Sequence, residues 1–156
     1  TAELMAERGA FAVPTLITYE ALARDGARLG LGAESVAKIE QVRAAGLKSL
    51  EILKTAGVRM AYGTDLLGAS HALQSEEFLI RAQVQSNLEV LQSATLIGAE
   101  LLNQVGVIGE IASGARADLL LVDGNPLADL ACLTGQGERI PLVMQGGKLR
   151  VNELRA

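Results

Sequence analysis

The chain has 156 residues, 49% of them hydrophobic and 21% charged, which is a globular composition rather than a disordered one. With 14 Lys and Arg against 18 Asp and Glu the net charge is −4, so the chain lacks the basic stripe with which nucleic-acid binders displace counterions from phosphates. Cys132 is the single cysteine, which rules out an internal disulfide and fits a reducing, cytoplasmic compartment. No apolar run approaches the roughly 20 residues of a membrane-spanning helix.

Taken in chain order, Thr1 to Arg8 reads as helix closed by Gly9. Phe11-Ala12-Val13-Pro14-Thr15-Leu16-Ile17 is an apolar, partly β-branched run expected to form a buried strand, with Pro14 marking an edge or strand end. A short helix is expected from Tyr19 to Arg28, broken at Gly30-Leu31-Gly32. A long one follows from about Ala33 to Thr55, with Val36, Ile39, Val42 and later Leu47, Leu50 and Leu53 at threefold spacing before Gly57. Val58 to Tyr62 reads as a second strand leading into Gly63-Thr64-Asp65. A further helix is expected from about Ala72 to Val84. Ser86 and Glu89 have the spacing of a capping box at the head of the next helical region, which the pattern breaks near Ser93.

Strand, helix, strand, helix is the order of parallel pairing through crossover helices. Beyond Gly106 the style changes. Ala117 to Val122 reads as a strand closed by the turn Asp123-Gly124-Asn125-Pro126. Ile140 to Met144 and Lys148 to Val151 flank a tight hairpin at Gln145-Gly146-Gly147. The expected division is therefore residues 1–105, of α/β type, and residues 106–156, rich in β-structure.

In a β/α barrel the functional side chains sit at the C-terminal ends of the strands. Asp65 holds such a position, where a carboxylate can ligate a metal or accept a proton, or can simply cap a turn. His71 is the only histidine; metal ligation, a substrate contact and a surface position are its three readings, and one His with one distant Cys makes no self-contained zinc site. Tyr19 lies just beyond the first strand, within reach of a ligand or packed in a turn. Glu76 and Glu77 are expected to solvate a helix face, and Asp118 and Asp123 to serve a turn and an edge. Gly106-Val107-Ile108-Gly109 lacks a complete dinucleotide fingerprint, no phosphate loop is present, and no serine lies in a nucleophile elbow.

The succession of motifs is more specific than any one of them. Tyr62-Gly63-Thr64-Asp65, then Ala94-Thr95 with Ala99-Glu100-Leu101-Leu102, then Gly109 through Leu119, then Asp123-Gly124-Asn125-Pro126-Leu127, resembles the closing section of the amidohydrolase superfamily. The likeness is to its imidazolonepropionase-like and prolidase-like members and covers the chain from about Phe11 onward.

That resemblance implies an α/β fold: the last two strands and helices of a (β/α)8 TIM barrel, followed by part of a small β-sandwich. Asp65 would be the aspartate closing the eighth strand, a metal ligand that also activates water and passes a proton to the leaving group. The function implied is hydrolysis of an amide-type C–N bond, in a dipeptide or acylated amino acid, with His71 and Tyr19 as substrate contacts. A divalent metal, zinc in the first instance, would be the cofactor of the full-length parent, with none held tightly by this chain alone. The family's His-x-His pair, lysine and later histidines are not in the sequence, so the chain reads as a fragment, inactive in isolation, whose partners are the remaining barrel and further copies of itself. The alternative is a non-catalytic β-rich assembly module.

Overall fold

Two parallel strands, β1 (Phe11–Ala12) and β2 (Arg59–Met60), lie side by side with Phe11 opposite Arg59 and Ala12 opposite Met60. The computed structural model describes residues 1–26, 28 and 30–154. Helix α1 (Ala2–Glu7) precedes β1, and α2 (Leu16–Asp25) and α3 (Ala33–Thr55) form the crossover between the strands. The span of α3 is the one its spacing predicts. It lies along α2, with the Gly46 backbone so near the Leu16 side chain that a Cβ there would fall 2.8 Å from Leu16 Cδ2.

The first strand corrects the expectation from sequence. Pairing stops at Ala12, and Leu16 and Ile17, expected in the strand, open α2 instead. Pro14 has no N–H to give a ladder and restricts the residue before it, so the chain leaves the sheet and re-enters helix at Leu16. Of the helix expected over residues 19–28, Ala27 lies outside the described residues.

After β2 the segment expected as one helix is divided. A 3-10 helix runs from Gly68 to Glu76 and becomes the α-helix α4 (Glu77–Arg81). Helix α5 (Asn87–Ala94) begins with the capping box: Glu89 N–H donates to Ser86 Oγ, and Ser86 N–H donates to the Glu89 carboxylate at 2.6 Å. The break before α6 (Leu96–Leu101) falls at Thr95, two residues later than expected.

The rest of the chain forms an antiparallel sheet in the order β3 (Leu119–Leu121), β4 (Leu142–Gln145), β5 (Lys148–Asn152). Gly146 and Gly147, with φ of 56° and 76°, make the two-residue turn between Gln145 and Lys148, a geometry open to glycine because both positions need φ > 0. The Gly146 N–H donates to the Asp118 carboxylate at 2.6 Å, which fixes the hairpin tip to the start of β3.

The core is aliphatic. One cluster gathers Val90, Leu130, Cys132 and Leu133, and joins α5 to the short turn of 3-10 helix at Leu130–Leu133. A second, formed by Ile17, Ala21 and Leu66, seals α2 against the loop after β2. Among the described residues no helix is long and apolar enough to cross a membrane.

Candidate active site

The backbone leaves β2 through Ala61, Tyr62, Gly63 and Thr64 and places Asp65 on an exposed rim beyond the strand end. Gly63 makes this path possible: a Cβ there would fall 2.4 Å from Val13 Cγ1, so any side chain would push the two strand ends apart. Asp65 itself sits in the left-handed region at φ 51°, which Asp adopts more readily than most L-residues, and its surroundings fix the segment that leads into it.

Those surroundings are polar contacts from distant parts of the chain. Ala61 O accepts from Arg81 Nη2 at 3.1 Å, and the Tyr62 N–H donates to Ser93 O at 2.9 Å. The Tyr62 hydroxyl donates to Gln74 O at 2.6 Å, and the Thr18 hydroxyl donates to Thr64 O. Tyr62 and Phe78 rings stack with centroids 4.4 Å apart.

Behind this loop lies a buried ion pair. Glu77 and Arg81 are both 0% exposed, and Arg81 Nε faces Glu77 Oε1 at 3.6 Å. Arg81 Nη1 donates to Ser93 Oγ at 2.8 Å, while Glu77 Oε2 accepts the Ile17 N–H at 2.7 Å. Glu77 thus caps the N-terminus of α2 from 60 residues away, at a helix start where Thr15 makes no side-chain cap. Burial pushes the Glu77 carboxyl up to about 7, against the pull of the Ile17 amide and of Arg81; burial also lowers the Arg81 guanidinium. The Tyr62 phenol is raised, first by burial and then by the Glu77 charge.

Glu77 is therefore not a solvated helix face, as the sequence led one to expect. A signal was present. Glu77 and Arg81 stand four apart and enclose Phe78, Leu79 and Ile80, so a charged pair sits on a helix that is otherwise apolar there. What the spacing could not supply was the partner at Ile17.

The three residues singled out from sequence occupy separate places. Asp65 lines a hollow of about 130 Å³ with Thr18, Leu66 and Ser70. His71 is exposed on the 3-10 helix and borders a wider cleft with Tyr62, Phe78 and Leu133. Tyr19 is half-buried in a depression between α2, α3 and α4, beside Arg43 and Ile80. Among the described residues there is no group of three or more His, Cys, Asp or Glu able to hold a metal. A zinc site draws on three or four such ligands. The described residues therefore hold no complete ligand set for such a metal.

A parallel β-strand pair with a helical crossover, carrying an exposed carboxylate just past a strand end, is consistent with part of a β/α-barrel enzyme. Residues 1–149 match the amidohydrolase family, and the chain belongs to it. A crystal structure of an amidohydrolase superposes with a TM-score of 0.94 at 57% identity, over 99% of this chain and 37% of that one. A prolidase complexed with N-methylphosphonate-L-proline superposes at 0.92 with 53% identity, over 97% of this chain and 37% of its own. The ochratoxinase of Aspergillus niger is 30% identical over 149 residues, which are 94% of this chain and 30% of the ochratoxinase. The chain thus spans about a third of the length of the relatives it matches.

Proposed function

We propose that this chain supplies the C-terminal part of a metal-dependent hydrolase that cleaves the C–N bond of a small amide or dipeptide with water, and that Asp65 is its hydrolytic carboxylate. The observation that carries the reading is the placement of Asp65: exposed, at the rim beyond a parallel strand, at the end of a segment held by bonds to Ala61 O and Thr64 O. Family membership and the likeness to a prolidase favour an amide-type substrate.

In this reading the ionised Asp65 takes a proton from the attacking water as its oxygen bonds to the acyl carbon. The C–N bond then breaks, and the same carboxyl returns the proton to the departing nitrogen. Asp65 would also be one ligand of a divalent cation, which when bound would supply Lewis-acid polarisation of the carbonyl. The other ligands come from the remainder of the barrel, outside this sequence. Zinc is the metal to try first. Residues 106–156 then serve as the chain's share of a small β-sandwich, and residues 1–105 as the end of the barrel. His71 and Tyr19 are assigned to substrate contact, His71 with the stronger claim because its cleft shares Tyr62 with the Asp65 loop.

The test is Asp65→Asn in the hydrolase that carries this chain, assayed on dipeptides and N-acyl amino acids with added zinc. A loss of turnover of about a hundredfold or more is expected for removal of a general base. Unchanged turnover removes Asp65 from the chemistry. Two readouts on the chain alone complement it: no hydrolysis, and no zinc retained through dialysis.

A further inference from the structure

The bonds that hold the loop carrying Asp65 lead back to two side chains. Arg81 bonds directly to Ala61 O, and through its bond to Ser93 Oγ it steadies the residue whose carbonyl accepts from Tyr62 N–H. Glu77 takes the Ile17 N–H, and the next residue, Thr18, donates its hydroxyl to Thr64 O. The segment that leads into Asp65 is thus fixed at two points, at Ala61 and Tyr62 by way of Arg81 and at Thr64 by way of α2 and Glu77. The two side chains are one turn apart on α4 and face each other, with Arg81 Nε 3.6 Å from Glu77 Oε1.

A buried ion pair is an expensive way to stabilise a fold, because desolvation of two charges offsets most of their attraction, and apolar residues of similar volume commonly do as well. Here Glu77 Oε1 and Arg81 Nε have no hydrogen-bond partner among the described residues, which makes the pair still poorer as a source of stability. Its distinctive product is a fixed spacing between the head of α2 and the end of β2. The two anchors fix the approach to Asp65, whose own backbone lies in the left-handed region at φ 51°.

We propose that Glu77 and Arg81 form a single positioning clamp that sets the rim geometry of Asp65, with Thr18 and Ser93 as its two transmitting contacts. The inference rests on the assignment of Asp65 as the hydrolytic carboxylate. Neither member of the clamp touches the reacting atoms; both act through the loop.

The experiment compares Glu77→Gln and Arg81→Lys in the hydrolase that carries this chain, by amide hydrogen exchange and steady-state kinetics. Leu50→Ala, a core truncation in α3, is the control for lost stability. Each clamp variant is expected to raise exchange about tenfold in both residues 16–19 and residues 61–65, whichever side chain was changed. It should also lower kcat about tenfold or more while KM moves less than about threefold, since the misplaced group acts in the chemical step. The control should leave kcat within about twofold. Exchange that rises only beside the altered side chain overturns the clamp, and so does an equal loss of kcat in the control. Should Arg81→Lys fail to fold, Glu77→Gln decides alone, because among the described residues Glu77 makes no hydrogen bond to residues 61–65. Asp65→Asn run in parallel separates the two assignments. Unchanged turnover there refutes the hydrolytic role of Asp65, while the exchange data still decide whether the clamp exists.

Discussion

Residues 58–94 and residues 117–152 hold their backbones in opposite ways. In the first region the loop after β2 is held by side chains reaching across 20 and 46 residues of sequence, Arg81 to Ala61 and Thr18 to Thr64, with Glu77 bonding Ile17 beside Thr18 across 60. In the second, backbone ladders do the holding, β4 to β5 through a two-residue turn and β3 to β4 across residues 122–141, and Leu120 and Leu121 remain 57% and 48% exposed. The first region spends buried charge on geometry. The second forms by backbone pairing and leaves part of its apolar surface exposed. The difference separates a part held by remote side-chain bonds from a part held by its own backbone ladders.

Breaking the buried pair from one side should give the largest effect. Arg81→Met leaves Glu77 without its counter-charge and is expected to destabilise by about 3–5 kcal/mol in urea unfolding. Glu77→Leu combined with Arg81→Met should recover most of that stability without restoring slow exchange at residues 61–65. If the double variant restored both, shape rather than charge would fix the loop.

The pair also sets a pH dependence. The Glu77 carboxyl is raised to about 7 from the usual 4.5, so between those values the folded chain binds more protons than the unfolded one. Its contribution to stability is greatest below 4.5 and falls as pH rises towards 7, by about 3 kcal/mol at most. Arg81 and Tyr62 are the titratable groups that face it; burial lowers the first and raises the second. Unfolding midpoints measured from pH 4.5 to 7.5 should therefore slope less in Glu77→Gln. Identical slopes would show that the carboxyl does not titrate there.

A smaller loss, about 1–3 kcal/mol, is expected for Gly63→Ala, whose Cβ meets Val13 Cγ1. Pairing Gly63→Ala with Val13→Ala should remove most of that cost, and a double variant no more stable than Gly63→Ala would place the conflict elsewhere. The smallest change in stability belongs to the tail. Ile111 is 90% exposed and Leu120 57%, so Ile111→Lys with Leu120→Lys should alter stability by less than about 1 kcal/mol. The unsubstituted chain is expected to self-associate in sedimentation, and this variant to do so less. A monodisperse monomer before substitution would show that these faces need no cover.

Local physics was legible in the sequence and remote physics was not. The span of α3, the capping box at Ser86 and Glu89, and the hairpin at Gly146-Gly147 depend on residues within a few positions of one another, and each stands where the pattern placed it. The position of Asp65 just beyond a strand end was legible too, since Gly63-Thr64-Asp65 follows an apolar run. Glu77 was misread because a carboxylate in a helix is ordinarily solvated, and its partner at Ile17 lies 60 residues away. The strand at Phe11 was drawn too long because Leu16 and Ile17 suit a strand as well as a helix; burial of Ile17 against Ala21 and Leu66 settled the choice.

By itself, then, the sequence determined which segments are helix and hairpin and which carboxylate closes the second parallel strand, because periodicity, capping and turn chemistry act within a few residues. Only the tertiary structure decided what holds that carboxylate in place. The hydrogen bonds responsible join α2, β2 and α4, and no local pattern specifies which distant amide a buried glutamate will meet.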